Sequence, residues 1–111
     1  MNAENDIKSH MIEWKNWASQ VQLDPTEHRD IALQRIIECV NSKSVFLNLS
    51  GLGLTSLPNN LPNNLPNNLP NNLRFLEVYS NQLTELPNHL PNSLKHLIAS
   101  NNQLTIRTLL I

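Results

Sequence analysis

Nucleophiles, titrating bases and metal ligands are sparse in this chain of 111 residues. Cys39 is the one cysteine, and the histidines are His10, His28, His89 and His96. A catalytic thiol needs its pKa lowered by nearby cations or a helix N-terminus. Cys39 instead falls near a helix C-terminus on an apolar stripe, the setting of a buried structural cysteine. The histidines have neither metal-ligand spacing nor cysteine partners, so no metal site and no cofactor are expected. A single cysteine also excludes an internal disulfide framework. What remains is recognition chemistry. Phe46, Asn48, Phe75, Glu77, Tyr79, His96 and Ile98 recur at alternate positions of three short segments. Aromatic side chains beside a charge are the residue types that anchor protein interfaces.

One repeated pattern positions them. Leu47-Asn48-Leu49 leads to Leu52, Leu54 and Leu57-Pro58. Leu76-Glu77-Val78 leads to Asn81, Leu83 and Leu86-Pro87, and Leu97-Ile98-Ala99 leads to Asn102 and Leu104. The step from Leu76 to Leu97 is 21, against 29 from Leu47 to Leu76. The difference of 8 equals two Leu-Pro-Asn-Asn units, so the first repeat is an ordinary one with two tetrapeptides added. A period in the twenties with this leucine and asparagine spacing predicts a leucine-rich-repeat solenoid. Parallel strands are expected over 46–50, 74–79 and 95–99. Leu47/Leu49, Leu76/Val78 and Leu97/Ala99 should face the core, because side chains alternate along a strand. The intervening residues, Ser50 and Ser100 included, then line the concave face. Asn81 and Asn102 should satisfy backbone groups at the turn, with Leu52 in that place in the first repeat.

The added tetrapeptides make the run 57–73, with Pro58, Pro62, Pro66 and Pro70. Proline at every fourth position excludes a helix and a central strand. An extended or turn-rich ribbon is expected, bulging on the convex side. A polyproline ligand is the alternative, but the leucine period of the run suits the solenoid.

Ahead of the repeats, residues 1–5 are polar and should fray. Ile7, Met11, Trp14, Ala18 and Val21 make one helical stripe, widened by Trp17. Asp24, Pro25 and Glu27 read as N-cap, first helical position and capping box of a second helix. That helix presents Ala32, Ile36, Cys39 and Val40 on one face, with Leu33 and Ile37 beside it, and ends at 41–44. A helical hairpin with one apolar face is what closes the first end of a solenoid. The expected fold is thus α+β: a hairpin cap over 1–42, then about two and a half repeats over 43–111. Trp14 and Trp17 are expected to pack that cap rather than bind a partner.

Charge is balanced at −1, which gives no electrostatic case for nucleic acid or an anionic membrane. No apolar stretch reaches the roughly 18 residues of a membrane span, and the N-terminus has no apolar signal-peptide region. Arg107-Thr108 stand where Leu-Pro stood in the earlier repeats, and the ending, 106–111, is apolar. This reads as a shortened version of a longer chain, with an open end liable to self-association.

Trp14-Lys15-Asn16-Trp17, then Glu27-His28-Arg29-Asp30-Ile31-Ala32, Arg35 and Cys39, running into Leu47–Pro58, resembles one specific group. It is similar to the N-terminal hairpin and first repeats of the LPX-type leucine-rich-repeat effectors of bacterial type III secretion systems, the YopM, IpaH, SspH and SlrP proteins. The resemblance covers 11–105. It implies a secreted protein whose repeats bind host proteins inside the host cell, or one that stays in the bacterial cytoplasm if the secretion signal is lost. Many members also carry a C-terminal E3 ubiquitin ligase domain with a C-x-D cysteine motif. Here Val40-Asn41 follow Cys39, and ligase activity does not carry over. A non-catalytic interaction module is the preferred reading, and an N-terminal remnant of a ligase effector is the alternative. Three short strands fall short of the roughly 800 Å² per partner of a standard interface, which weighs against a site, while the exposed aromatics weigh for one.

Overall fold

Apolar spacing of three and four residues produces helix α1, Ala3–Ala18, in the computed structural model of this chain. The structure describes residues 3–20, 26–58, 61, 73–87, 90 and 93–104, with side chains of α1 from Lys8 onward. Helix α1 begins at Ala3, so its first turn includes residues of the 1–5 segment expected to fray. Helix α2 spans Arg29–Asn41. Strands β1 (Phe46–Asn48), β2 (Phe75–Glu77) and β3 (His96–Ile98) form one parallel sheet in that order. Each strand has three residues, shorter than predicted. Their backbone hydrogen bonds nonetheless continue past the strand ends, as in Gly51 N–H to Tyr79 O (3.1 Å) and Ser80 N–H to Ser100 O (3.0 Å).

Helix α2 departs from its predicted start. His28 is its N-cap and makes no side-chain cap bond. Glu27 is no capping-box residue, because its carboxylate is drawn away to the first repeat. Asp24 and Pro25 lie outside the described residues. The other end follows from the sequence more simply. Lys43 takes the left-handed conformation (φ 56). The amides of Lys43 and Ser44 then donate to Val40 O (3.1 Å) and Cys39 O (2.9 Å), the paired bonds of a Schellman stop.

Cap and repeats share one core. Trp14, Trp17, Ala32, Ile36 and Cys39 pack with Leu47, Leu49, Leu54, Leu76, Val78 and Leu83. Leu57, Leu61 and Leu73 are buried in it as well. With Pro58 they are the described residues of the proline-rich run, whose other residues, and with them the predicted convex bulge, lie outside the described set. Of the α1 stripe, Met11, Trp14 and Ala18 meet this core, while Val21 and the Ile7 side chain lie outside the described residues. Leu97 and Ala99 are half-buried rather than fully in the core, since no described strand packs beyond β3. The ending at 106–111 also lies outside the described residues.

Two polar devices hold this core in register. The first is the asparagine ladder. The Asn81 side-chain oxygen accepts from the amides of Leu52 and Leu54, both at 3.0 Å. Its nitrogen donates to Leu49 O (3.0 Å) and Val78 O (2.9 Å). Asn102 repeats the scheme one turn on, with Leu83 N–H, Val78 O and Ala99 O, all at 3.0 Å.

The second device joins cap to repeats and has no signal in the sequence pattern. Arg29 Nε donates to Glu27 Oε1 at 2.9 Å, with both side chains almost wholly buried. The same guanidinium donates to Trp17 O and Gln20 Oε1 (both 2.8 Å) and to Ser56 Oγ (3.1 Å). It also lies 4.8 Å from the centroid of the Trp17 ring. Glu27 Oε1 in turn accepts from the amide and hydroxyl of Thr55, both at 2.9 Å. Burial pushes the Glu27 carboxyl up, but the bonds from Thr55 and Arg29 and the Arg29 charge outweigh it and hold the group below its ordinary value. Beside this hub the cap backbone lies close on the first repeat. His28 N–H donates to Leu52 O at 2.8 Å. Gly53 has φ +68, and a Cβ there would stand 2.8 Å from Thr26 O, so only glycine fits.

Candidate functional site

Strand alternation buries Leu47, Leu76 and, in part, Leu97, and turns their neighbours outward. The sheet register sets Phe46, Phe75 and His96 side by side in one row, and Asn48, Glu77 and Ile98 in the next. Tyr79 follows two residues beyond Glu77. All seven residues expected to bind a partner therefore lie on one face. Phe46 and Ile98 are each 45% exposed, Phe75 38% and Tyr79 36%. Phe75 and His96 stack with ring centroids 4.8 Å apart and planes 3° from parallel. Sequence reading placed both residues outward, but only their shared register makes them a rigid pair.

Not every outward residue is equally available. The Asn48 side-chain oxygen accepts from Ser50 N–H at 2.9 Å, so it closes a local turn. The Ser50 hydroxyl is enclosed, with no partner among the described residues. The free edge of β1 is covered by the cap. Ser44 Oγ accepts from Phe46 N–H (3.1 Å), and Arg35 Nη1 donates to Asn48 O (3.1 Å). A cleft of about 360 Å³ lies between this edge and α2, with Arg35, Cys39 and Phe46 in its walls.

Cys39 borders that cleft but brings no nucleophile to it. Its Sγ donates to Ser44 O (3.5 Å) and Phe46 O (3.6 Å). Burial raises its pKa to about 11. In the native protein at pH 8 the thiol should react with a disulfide reagent roughly a hundredfold more slowly than an exposed cysteine. The two rates should converge in denaturant. A native rate matching that of a free thiol would show the site to be open. Among the described residues no group of three or more histidine, cysteine or acidic side chains could hold a metal, and no helix is long and apolar enough to cross a membrane.

The arrangement of cap, ladder and outward face has counterparts among solved structures. A Shigella effector leucine-rich-repeat domain superposes with TM-score 0.75 at 38% identity over 87% of this chain. YopM from Yersinia enterocolitica WA-314 and YopM from Yersinia pestis give TM-scores of 0.74 and 0.73, each at 34% identity over 87% of the chain. The chain belongs to the LPX-type leucine-rich-repeat effectors. It spans 39% of the Shigella chain and 19% and 25% of the two YopM chains. No protein-family model and no curated protein matches it. The buried Glu27–Arg29 pair belongs to the segment that already resembled these effectors, yet its partners Thr55 and Ser56 lie in the first repeat.

Proposed function

We propose that this chain is a non-catalytic protein-interaction module, delivered by type III secretion, that binds a host protein through Phe46, Asn48, Phe75, Glu77, Tyr79, His96 and Ile98. In this reading residues 1–42 close the array and 43–111 present the face. The observation that carries it is the in-register row of Phe46, Phe75 and His96, continued by Tyr79 and Ile98. It is a set of large side chains held outward by a sheet that buries their neighbours. Rigid, partly exposed aromatics lose little entropy on binding and supply much of an interface's energy. The effector character of the similar structures gives the context of a host target.

Host-cell extract passed over the immobilised chain, compared with Phe75→Ala and Tyr79→Ala variants, tests the reading. Each substitution should lower capture of the target at least tenfold, since truncating an interface anchor typically costs about 2 kcal/mol or more. The melting temperatures should stay within a few degrees, since both side chains lie outside the core. Equal capture by wild type and variants would refute a role for this face.

A further inference from the structure

Resting on that interaction reading, we infer that the face takes an arginine side chain of its partner, seated on Glu77. Glu77 lies on the central strand, with Asn48 and Ile98 across from it and Phe75 and Tyr79 one alternation away along the chain. It is half-buried, and among the described residues no basic group pairs with it. Arg74 and Lys95, one residue ahead of β2 and β3, take the alternate positions that do not line this row, and His96, which does face this side, is stacked on Phe75. Arg35, beside β1, is engaged by Asn48 O at 3.1 Å. The middle of the face is therefore a carboxylate set between the Asn48 amide and Ile98 across the sheet and the Phe75 and Tyr79 rings along the chain, and its charge complement is a cation.

Arginine suits it better than lysine. A planar guanidinium can meet a carboxylate through two parallel bonds while its faces lie against rings, and it is shed from water more readily than an ammonium. Phe75 offers a ring already fixed by its stack on His96, and Tyr79 a second. Exposed Phe46 and Ile98 would screen the pair from solvent once a partner is seated. The partner segment is accordingly one that presents an arginine between apolar residues.

The probe is the blocked pentapeptide Gly-Leu-Arg-Leu-Gly, titrated into the ¹⁵N-labelled chain beside the same peptide with citrulline, the uncharged isostere. The arginine peptide should shift the amide resonances of 75–79 and Ile98 with an affinity on the order of millimolar. It should bind at least fivefold tighter than the citrulline peptide. That preference should vanish in Glu77→Gln and shrink as salt rises from about 0.05 to 0.5 M. Equal binding of the two peptides would overturn the arginine anchor while leaving the face as a binding surface. A preference surviving in Glu77→Gln would overturn it by placing the cation elsewhere. Shifts from neither peptide would overturn it too, with the interaction reading then resting on the Phe75 and Tyr79 variants alone.

Discussion

Replacing Arg29 with methionine lowers the stability of the chain by about 3–5 kcal/mol, the usual cost of removing one partner from a buried ion pair. The reason lies in what is left behind. The Glu27 side chain is only 2% exposed and would keep its charge without its cation. Trp17 O and Ser56 Oγ would each lose one of two donors at the same time, keeping Gln20 N–H and Trp17 Nε1–H. Small domains have a total stability of about 5–15 kcal/mol, so the variant should be close to unfolding at room temperature. Urea titration followed by circular dichroism measures this directly. The double variant Glu27→Gln/Arg29→Met should lose less than the sum of the two single losses, because neither charge is then stranded. Additive losses, or a single loss below about 1 kcal/mol, would show that the pair does not bind cap to repeats.

The same pair sets an acid limit. The Glu27 carboxyl is held below its ordinary value in the folded chain. Its contribution is therefore complete above the unfolded value of about 4.3 and is lost as pH falls through the lower folded value. The urea midpoint should be flat in this respect between about pH 5 and 7 and drop below about pH 4. The Glu27→Gln variant should start from a lower plateau and show a shallower drop.

Asn81→Ala should cost on the order of 3 kcal/mol or more, because each buried group left unpaired costs about 1–3 kcal/mol. It leaves the buried amides of Leu52 and Leu54 without an acceptor, removes the Asn81 donor to Leu49 O, and takes one of two donors from Val78 O, which keeps Asn102. Asn102→Ala should cost less, because Asn102 is half-exposed and water can replace part of what is lost. Amide exchange locates the effect. Protection at Leu52 and Leu54 should collapse in Asn81→Ala and persist in Asn102→Ala. If both amides stay protected in Asn81→Ala, the ladder is not what closes that turn.

Much of this is legible in the chain because it is periodic. Leucines at fixed spacing declare the repeat, and alternation then places Phe46, Phe75, Tyr79 and Ile98 outward and Leu47, Leu49, Leu76 and Val78 inward. The asparagine positions follow from the same register. The start of α2 escapes sequence reading because Asp24-Pro25-Thr26-Glu27 has the local grammar of a helix start, and local grammar cannot know that Thr55 offers Glu27 a better set of donors. The half-burial of Leu97 and Ala99 is likewise beyond a pattern that treats every repeat as having a neighbour on each side.

Spacing along the chain is enough to set the repeat, its strands, its parallel sheet and the identity of the outward side chains, since each depends on positions within one repeat or in adjacent repeats. Which polar groups are buried, and with whom, is settled only by folding in three dimensions. Arg29 meets Trp17, Thr55 and Ser56 only because the hairpin folds back on the first repeat. Phe75 stacks on His96 only because two strands from successive repeats lie in one register. A pairing between distant residues is chosen by the whole packed core, whose burial energy outweighs any local preference, and so it is visible only once that core exists.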